Sequence, residues 1–207
     1  MPLRRTAALA TALTVGVAVL ALAPEARAAE QLLELDPATT AVHFTVEATG
    51  HDVRGSFQVT GGQVRFDPAT GLAAGEIRVD ALSAATGNRS RDKTLQGDVL
   101  EGARFPLFVF TPERLVGTLP AAGEAKVELR GVIAMHGATH PVTLPATVVL
   151  AGDQLRLVAE FPVPYVEWGL HNPSILFLRV ADVVQVRIEG EGRLSPVAVA
   201  EIARHGR

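Results

Sequence analysis

The chain has 207 residues, 48% of them hydrophobic and 20% charged, with a formal net charge of −3 and no cysteine. This composition supplies the core of one domain and argues against general disorder, while the absence of thiols excludes disulfide staples, thiolate zinc sites and cysteine nucleophiles. A mildly acidic balance without a basic run points away from nucleic acid and anionic lipid surfaces.

Residues 1–28 read as a secretory signal peptide. Arg4 and Arg5 precede an apolar run over residues 7–23, and Ala26-Arg27-Ala28 places small residues at −3 and −1 of a cleavage point after Ala28. The run is shorter than the ~20 residues a spanning helix needs. Cleavage removes three arginines and one glutamate, leaving 16 basic and 21 acidic residues and a net charge of −5. Residues 29–195 then form the folded domain, and residues 196–207 a tail.

The mature region alternates apolar and polar residues between Gly, Pro, Asn and Asp turn signals, the pattern of many short antiparallel strands. Over residues 40–48, Val42, Phe44, Val46 and Ala48 face one way, and His43, Thr45 and Glu47 the other. Residues 55–60 put Phe57 and Val59 on one face. Gly61-Gly62 separates them from residues 63–66, and Asp67-Pro68-Ala69-Thr70-Gly71 is a turn. Ile77 and Val79 share a face of residues 76–80.

The period of two then breaks. Over residues 88–100 the apolar Leu95, Val99 and Leu100 fall at helical offsets, with Asn88 or Ser90 placed to cap and Gly97 weakening the signal. Strands resume at Phe105, with Phe108 and Phe110 on one face and Leu107 and Val109 on the other. Residues 126–136 align Val127, Leu129, Gly131, Ile133 and Met135, and Gly137-Ala138-Thr139 is a turn. Pro145 interrupts residues 142–150 and marks an edge or a bulge. Residues 154–163 align Leu155, Leu157, Ala159, Phe161 and Val163. A loop rich in proline and aromatics follows, with Pro162, Pro164, Tyr165, Trp168 and Pro173. The last strand, residues 180–190, carries Val184, Val186 and Ile188 against Gln185, Arg187 and Glu189.

About eight strands result. A closed barrel of that number can hold one small ligand, and closure removes exposed edges. Alternation alone does not separate a barrel from a two-sheet sandwich, since both bury every second residue.

Gly87-Asn88-Arg89-Ser90-Arg91-Asp92-Lys93, then Leu100-Glu101 and Arg104-Phe105-Pro106, resemble the YceI-like, polyisoprenoid-binding family. Residues 45–57, ending in Gly55-Ser56-Phe57, resemble its early strand pair. Residues 131–145, containing Met135-His136-Gly137-Ala138-Thr139-His140-Pro141-Val142-Thr143-Leu144, resemble its hairpin, and residues 178–189 its closing strand. The likeness covers residues 31–195 and departs from the family pattern at the bulky segment between Pro162 and Pro173. It implies an all-β, lipocalin-like antiparallel barrel with one short helix covering an end, secretion to the periplasm or outside, and an apolar cavity for an isoprenoid chain.

Candidate cavity residues are the inward stripe: Phe44, Val46, Phe57, Val59, Ile77, Val79, Phe108, Phe110, Leu129, Ile133, Leu157, Phe161, Val184 and Val186. Asn88, Arg91, Tyr165 and Trp168 are candidates for the cavity mouth. Arg91 belongs to a charge cluster with Arg89, Asp92 and Lys93, read first as a device that pins the helix and second as a clamp on a polar head. The expected partner is an apolar small molecule, a polyprenyl lipid or prenyl quinone. No other cofactor, no nucleic acid and no stable membrane insertion after signal cleavage are expected. The oligomeric state is open, with a dimer among the options. His136 and His140 have i, i+4 spacing, but a turn between them removes the helical geometry that suits zinc. A metal- or stress-responsive module using them with His43 or His51 is one alternative, and a structural domain with a filled barrel is another. No Gly-x-Ser-x-Gly elbow, phosphate-cradling glycine loop or paired carboxylate motif is present, so no catalysis is expected.

Overall fold

The computed structural model describes residues 29–197. The expected signal peptide and the tail from residue 198 onward lie outside the described residues. Nine strands follow in order: β1 Gln31–Leu35, β2 Ala41–Val46, β3 Val53–Phe66, β4 Ala73–Ala85, β5 Leu107–Val116, β6 Gly123–Met135, β7 Ala138–Ala151, β8 Gln154–Val163 and β9 Val184–Pro196. Between β4 and β5 lie a short helix, α1 (Arg89–Thr94), and a π-helical turn, Leu95–Val99. Among the described residues no helix is long and apolar enough to cross a membrane.

All pairings are antiparallel, and they close on themselves. β3 pairs β4, the ladder runs from β4 through β9, and β9 returns to β2, which pairs β3. β1 and β2 occupy one position in this wall. β2 takes residues 53–58 of β3 and 185–189 of β9, and β1 takes residues 63–66 and 192–196 of the same two strands. The elbow between them is fastened by Asp36, whose carbonyl accepts from the Thr40 hydroxyl at 2.7 Å. Eight wall positions built from nine segments form a closed barrel, not a sandwich.

Several strand limits differ from the sequence expectation: the last strand runs Val184–Pro196 and not 180–190, so it takes in the first residue of the expected tail, β2 stops at Val46, and β7 begins at Ala138 inside the expected turn. β1 was not expected. Gly61-Gly62 does not separate two strands: β3 runs through it with a bulge between Val59 and Gly61, where Gly61 has φ +150°. A side chain at Gly62 would stand 2.8 Å from the Glu76 carbonyl oxygen, so only glycine lets β4 approach here. β4 also continues past Asp80 to Ala85. Over that stretch the Ser83 hydroxyl replaces a ladder group, accepting from the Gln58 amide at 2.8 Å and donating to the Asp80 carbonyl at 2.5 Å.

Pro145 does mark an edge. β7 pairs β8 only from Ala146 to Ala151. Residues 138–145 pair β6 alone, and residues 160–163 of β8 pair β9 alone. Pro141 and Pro145 each remove an amide donor from this half of β7. The wall parts there, and the loop after β8 carries the Trp168 ring onto His140, stacked at 4.2 Å and 7°.

Candidate functional site

The alternation that builds the strands points one side chain in two into the barrel. Those side chains do not fill it. The interior holds a cavity of about 280 Å³. That exceeds the few waters' worth of space in a solid core, so the filled-barrel alternative does not hold. All fourteen residues of the inward stripe line this cavity. β4 and β5 show how register sets the lining: Ile77 lies opposite Phe110 and Val79 opposite Phe108. Aromatic contacts tie three strands across the interior, Phe44 to Phe57 at 5.2 Å and Phe57 to Phe108 at 5.5 Å, edge on.

The cavity extends beyond that stripe. Towards one end it reaches Leu33 and Leu35 of β1, Val64 and Phe66 of β3, and Leu115, Val127, Val148 and Leu155. Alternation marked Val127 and Leu155 as inward. Leu33 and Leu35 were missed with β1, a five-residue strand with little room to show a period. Towards the other end Leu95, Val99 and Leu100 close the barrel. The π turn explains how all three point inward: the Leu100 amide donates to the Leu95 carbonyl at 2.9 Å, an i to i+5 bond that adds one residue to the turn.

Asn88 and Arg91 do not line the cavity. Asn88 is the N-cap of α1, its side-chain oxygen accepting from the Ser90 amide at 3.0 Å and the Arg91 amide at 3.2 Å. Arg91 Nε donates to the Thr86 hydroxyl at 2.8 Å and its Nη2 to the Thr86 carbonyl at 3.1 Å. Asp92 accepts from the Thr86 amide at 2.7 Å and from its hydroxyl at 2.5 Å. The charge cluster thus fastens the helix across the barrel end through one threonine. It pins the helix by way of Thr86, which Arg91 and Asp92 both engage.

Tyr165 and Trp168 are at the cavity end. Tyr165 lines the cavity, while Trp168 is half-buried and packs against the core beside it. Among the described lining residues only Thr40 and Tyr165 carry hydroxyls, and the Thr40 hydroxyl is engaged at the elbow. The Tyr165 hydroxyl is buried without a hydrogen-bond partner, as is Nε2 of His140. Burial, reinforced by the charge of Asp182, pushes the phenol up to about 12. It therefore stays a neutral, buried donor at the cavity end, unengaged by the protein.

The histidines are dispersed. His136 meets a Glu101 carboxylate oxygen at 3.1 Å and packs on Phe105 at 4.6 Å. His140 stacks on Trp168, and His43 and His51 are exposed. Among the described residues no group of three metal-ligating side chains gathers.

The sequence profile of the YceI-like domain matches residues 33–192. A UPF0312 protein of Vibrio vulnificus (strain YJ016) is 27% identical over 184 residues, covering 77% of this chain and 95% of its own length. Among solved structures, Burkholderia cenocepacia BcnA superposes with a TM-score of 0.64 at 20% identity, over 76% of this chain and 98% of that one. A structure described as a polyisoprenoid binding domain from Saccharophagus degradans superposes with a TM-score of 0.58 at 13% identity, over 79% and 98%. At these identities the two structures establish the barrel fold.

Proposed function

The chain belongs to the YceI-like domain family, and from that premise we propose that it is a binding and carrier protein, not an enzyme, for a polyisoprenoid-type lipid or prenyl quinone. One observation carries the reading: a closed barrel whose interior is a continuous, almost wholly apolar cavity. The polyisoprenoid binding described for the Saccharophagus protein is in keeping with it. The signal-peptide pattern of residues 1–28 supports a site of action in the periplasm or outside the cell.

The energetics suit an oily tail. At about 280 Å³ the cavity is nearly twice the ~150 Å³ engineered cavity that takes benzene. It has room for roughly ten carbons before side chains move. At about 0.8 kcal/mol per buried CH₂ that is on the order of 8 kcal/mol of transfer free energy, from which the cost of ordering the ligand is subtracted.

The test is organic extraction of protein purified from cells expressing the full chain, followed by mass spectrometry, together with uptake of ubiquinone delivered in solvent. A prenyl lipid in the extract, or stoichiometric uptake, supports the reading. Leu129→Trp, which places an indole in the cavity, is expected to fold and to lower uptake at least tenfold. Absence of both a prenyl lipid in the extract and quinone uptake by the wild type overturns the proposal.

A further inference from the structure

The loop between β8 and β9 ends in a tip whose side chains the fold leaves uncovered. Ile175, Leu176 and Phe177 are 68%, 88% and 91% exposed, and Leu178 is 41% exposed. Four consecutive large apolar residues in water are unusual at a loop end, where polar residues are the rule. The tip is nonetheless firmly built. The Ile175 amide donates to the Leu178 carbonyl at 3.0 Å and the Leu178 amide returns to Ile175 at 2.6 Å. Below it the Asn172 amide group donates to the Val180 carbonyl and to Asp182, and its oxygen accepts from the Ser174 amide. The base is also sewn to the neighbouring turn, with the Arg179 amide donating to the Thr49 hydroxyl at 2.9 Å and the Thr49 amide to the Arg179 carbonyl at 2.9 Å.

Two residues flanking the tip, Pro173 and Val180, line the cavity. The exposed tip therefore stands two residues from the cavity lining on either side.

We propose that residues 175–178 insert shallowly and reversibly into the interface of a lipid bilayer, so that the cavity opens onto the membrane at this end. The role in ligand exchange rests on the carrier reading above; the insertion itself does not. A bilayer fits better than a protein surface for three reasons. Four residues are far fewer than the roughly 20–30 a side of a stable protein interface. The tip's paired amides and carbonyls at Ile175 and Leu178 enter an apolar phase already satisfied. An oily ligand leaving between Pro173 and Val180 needs an apolar phase to receive it. Around the base, Asn172, Ser174, Arg179, Asp182, Thr49 and His51 supply polar groups at headgroup level, with no excess of positive charge. Binding therefore does not require anionic lipid.

The chain has no cysteine, so one introduced thiol takes one label. Leu176→Cys, at the tip, and Thr118→Cys, on the exposed turn at the opposite end of the barrel, are each labelled with an environment-sensitive fluorophore and mixed with phosphatidylcholine vesicles carrying a lipid-borne quencher. Quenching at 176 and none at 118 is expected. Phe177→Asp in the Leu176→Cys background is expected to weaken the vesicle association of that label by roughly tenfold to a hundredfold. Ubiquinone uptake from solvent is measured on the wild type and on Phe177→Asp. Absence of quenching at 176, or equal quenching at both positions, overturns the insertion, whatever the uptake result. A blue shift at 176 that grows with protein concentration and needs no vesicles also overturns it, in favour of a second copy covering the tip. Quenching at 176 without quinone uptake leaves the insertion standing and removes the carrier reading.

Discussion

Replacing Tyr165 by phenylalanine removes one oxygen from the cavity wall and keeps the ring. That hydroxyl is buried without a protein partner, and an unpaired buried polar group costs on the order of 1–3 kcal/mol. After the small loss of contacts, delipidated Tyr165→Phe is expected to be about 1–2 kcal/mol more stable than the parent at neutral pH. For a domain of this size each kcal/mol moves Tm by roughly 2–4 °C, so the rise is about 2–8 °C.

The pH dependence gives an independent check. The folded phenol titrates at about 12, the unfolded one near ~10. Between those values the unfolded chain loses its proton first, so the native state holds more protons and stability falls as pH rises. Two pH units correspond to about 2.7 kcal/mol, present below about pH 10 and lost by about pH 12. Other groups titrate alike in both proteins, so the advantage of Tyr165→Phe is expected to widen across this window. Urea denaturation of delipidated protein at several pH values measures it. A lower stability of Tyr165→Phe at neutral pH, or curves that run parallel from about pH 9 to about pH 12, refutes the reasoning.

Asn88→Ala deletes the cap of α1 and is expected to cost about 1 kcal/mol in urea denaturation while quinone uptake holds, because Asn88 does not line the cavity; lost uptake at unchanged stability would return Asn88 to the mouth. Gly131→Ala places a methyl group 2.2 Å from the Thr111 carbonyl oxygen, against backbone that cannot step aside. It is expected to cost 3 kcal/mol or roughly more, and the circular-dichroism melt is the readout. Gly152→Ala meets open space at φ +65° and is expected to cost only about 1 kcal/mol, the left-handed penalty alone. Equal losses at the two glycines would show that contact distance is not the deciding factor.

Strand alternation carried most of the wall, because Val127 and Leu129 on β6, Leu155, Leu157 and Phe161 on β8 and Val186 and Ile188 on β9 each have a polar neighbour to contrast with, while on β5 the aromatic Phe108 and Phe110 stand against aliphatic Leu107 and Val109. It also carried the lining, since a face that is buried in either a barrel or a sandwich is the same face. The failures have local causes. Gly61-Gly62 has the composition of a turn, and only the approach of β4 reveals that the pair is a bulge. Asn88 and Arg91 carry the right chemistry for a mouth, but Thr86 satisfies Arg91 and Asp92 from a neighbouring position that no periodicity marks. The tip at 175–178 falls between the proline-rich loop and the expected last strand, and its apolar composition alone does not mark it as exposed. Its exposure depends on Asn172, Ser174 and Thr49 fixing the loop base, contacts made across as many as 130 residues of chain.

The arrangement of β9 sets an order of events in folding. It supplies the seam with β8 and both seams with the broken strand β1–β2, some joining residues more than 150 apart in sequence, such as Leu33 and Leu194. Until the last strand arrives, β1 and β2 hang from β3 by one edge, and the oily lining of an open, curling ribbon faces water. Such a chain commits late, through distant contacts, and is exposed to aggregation while it waits. Slowing elongation just before residue 184 would prolong that interval, and a truncation inside β9 would leave it permanent.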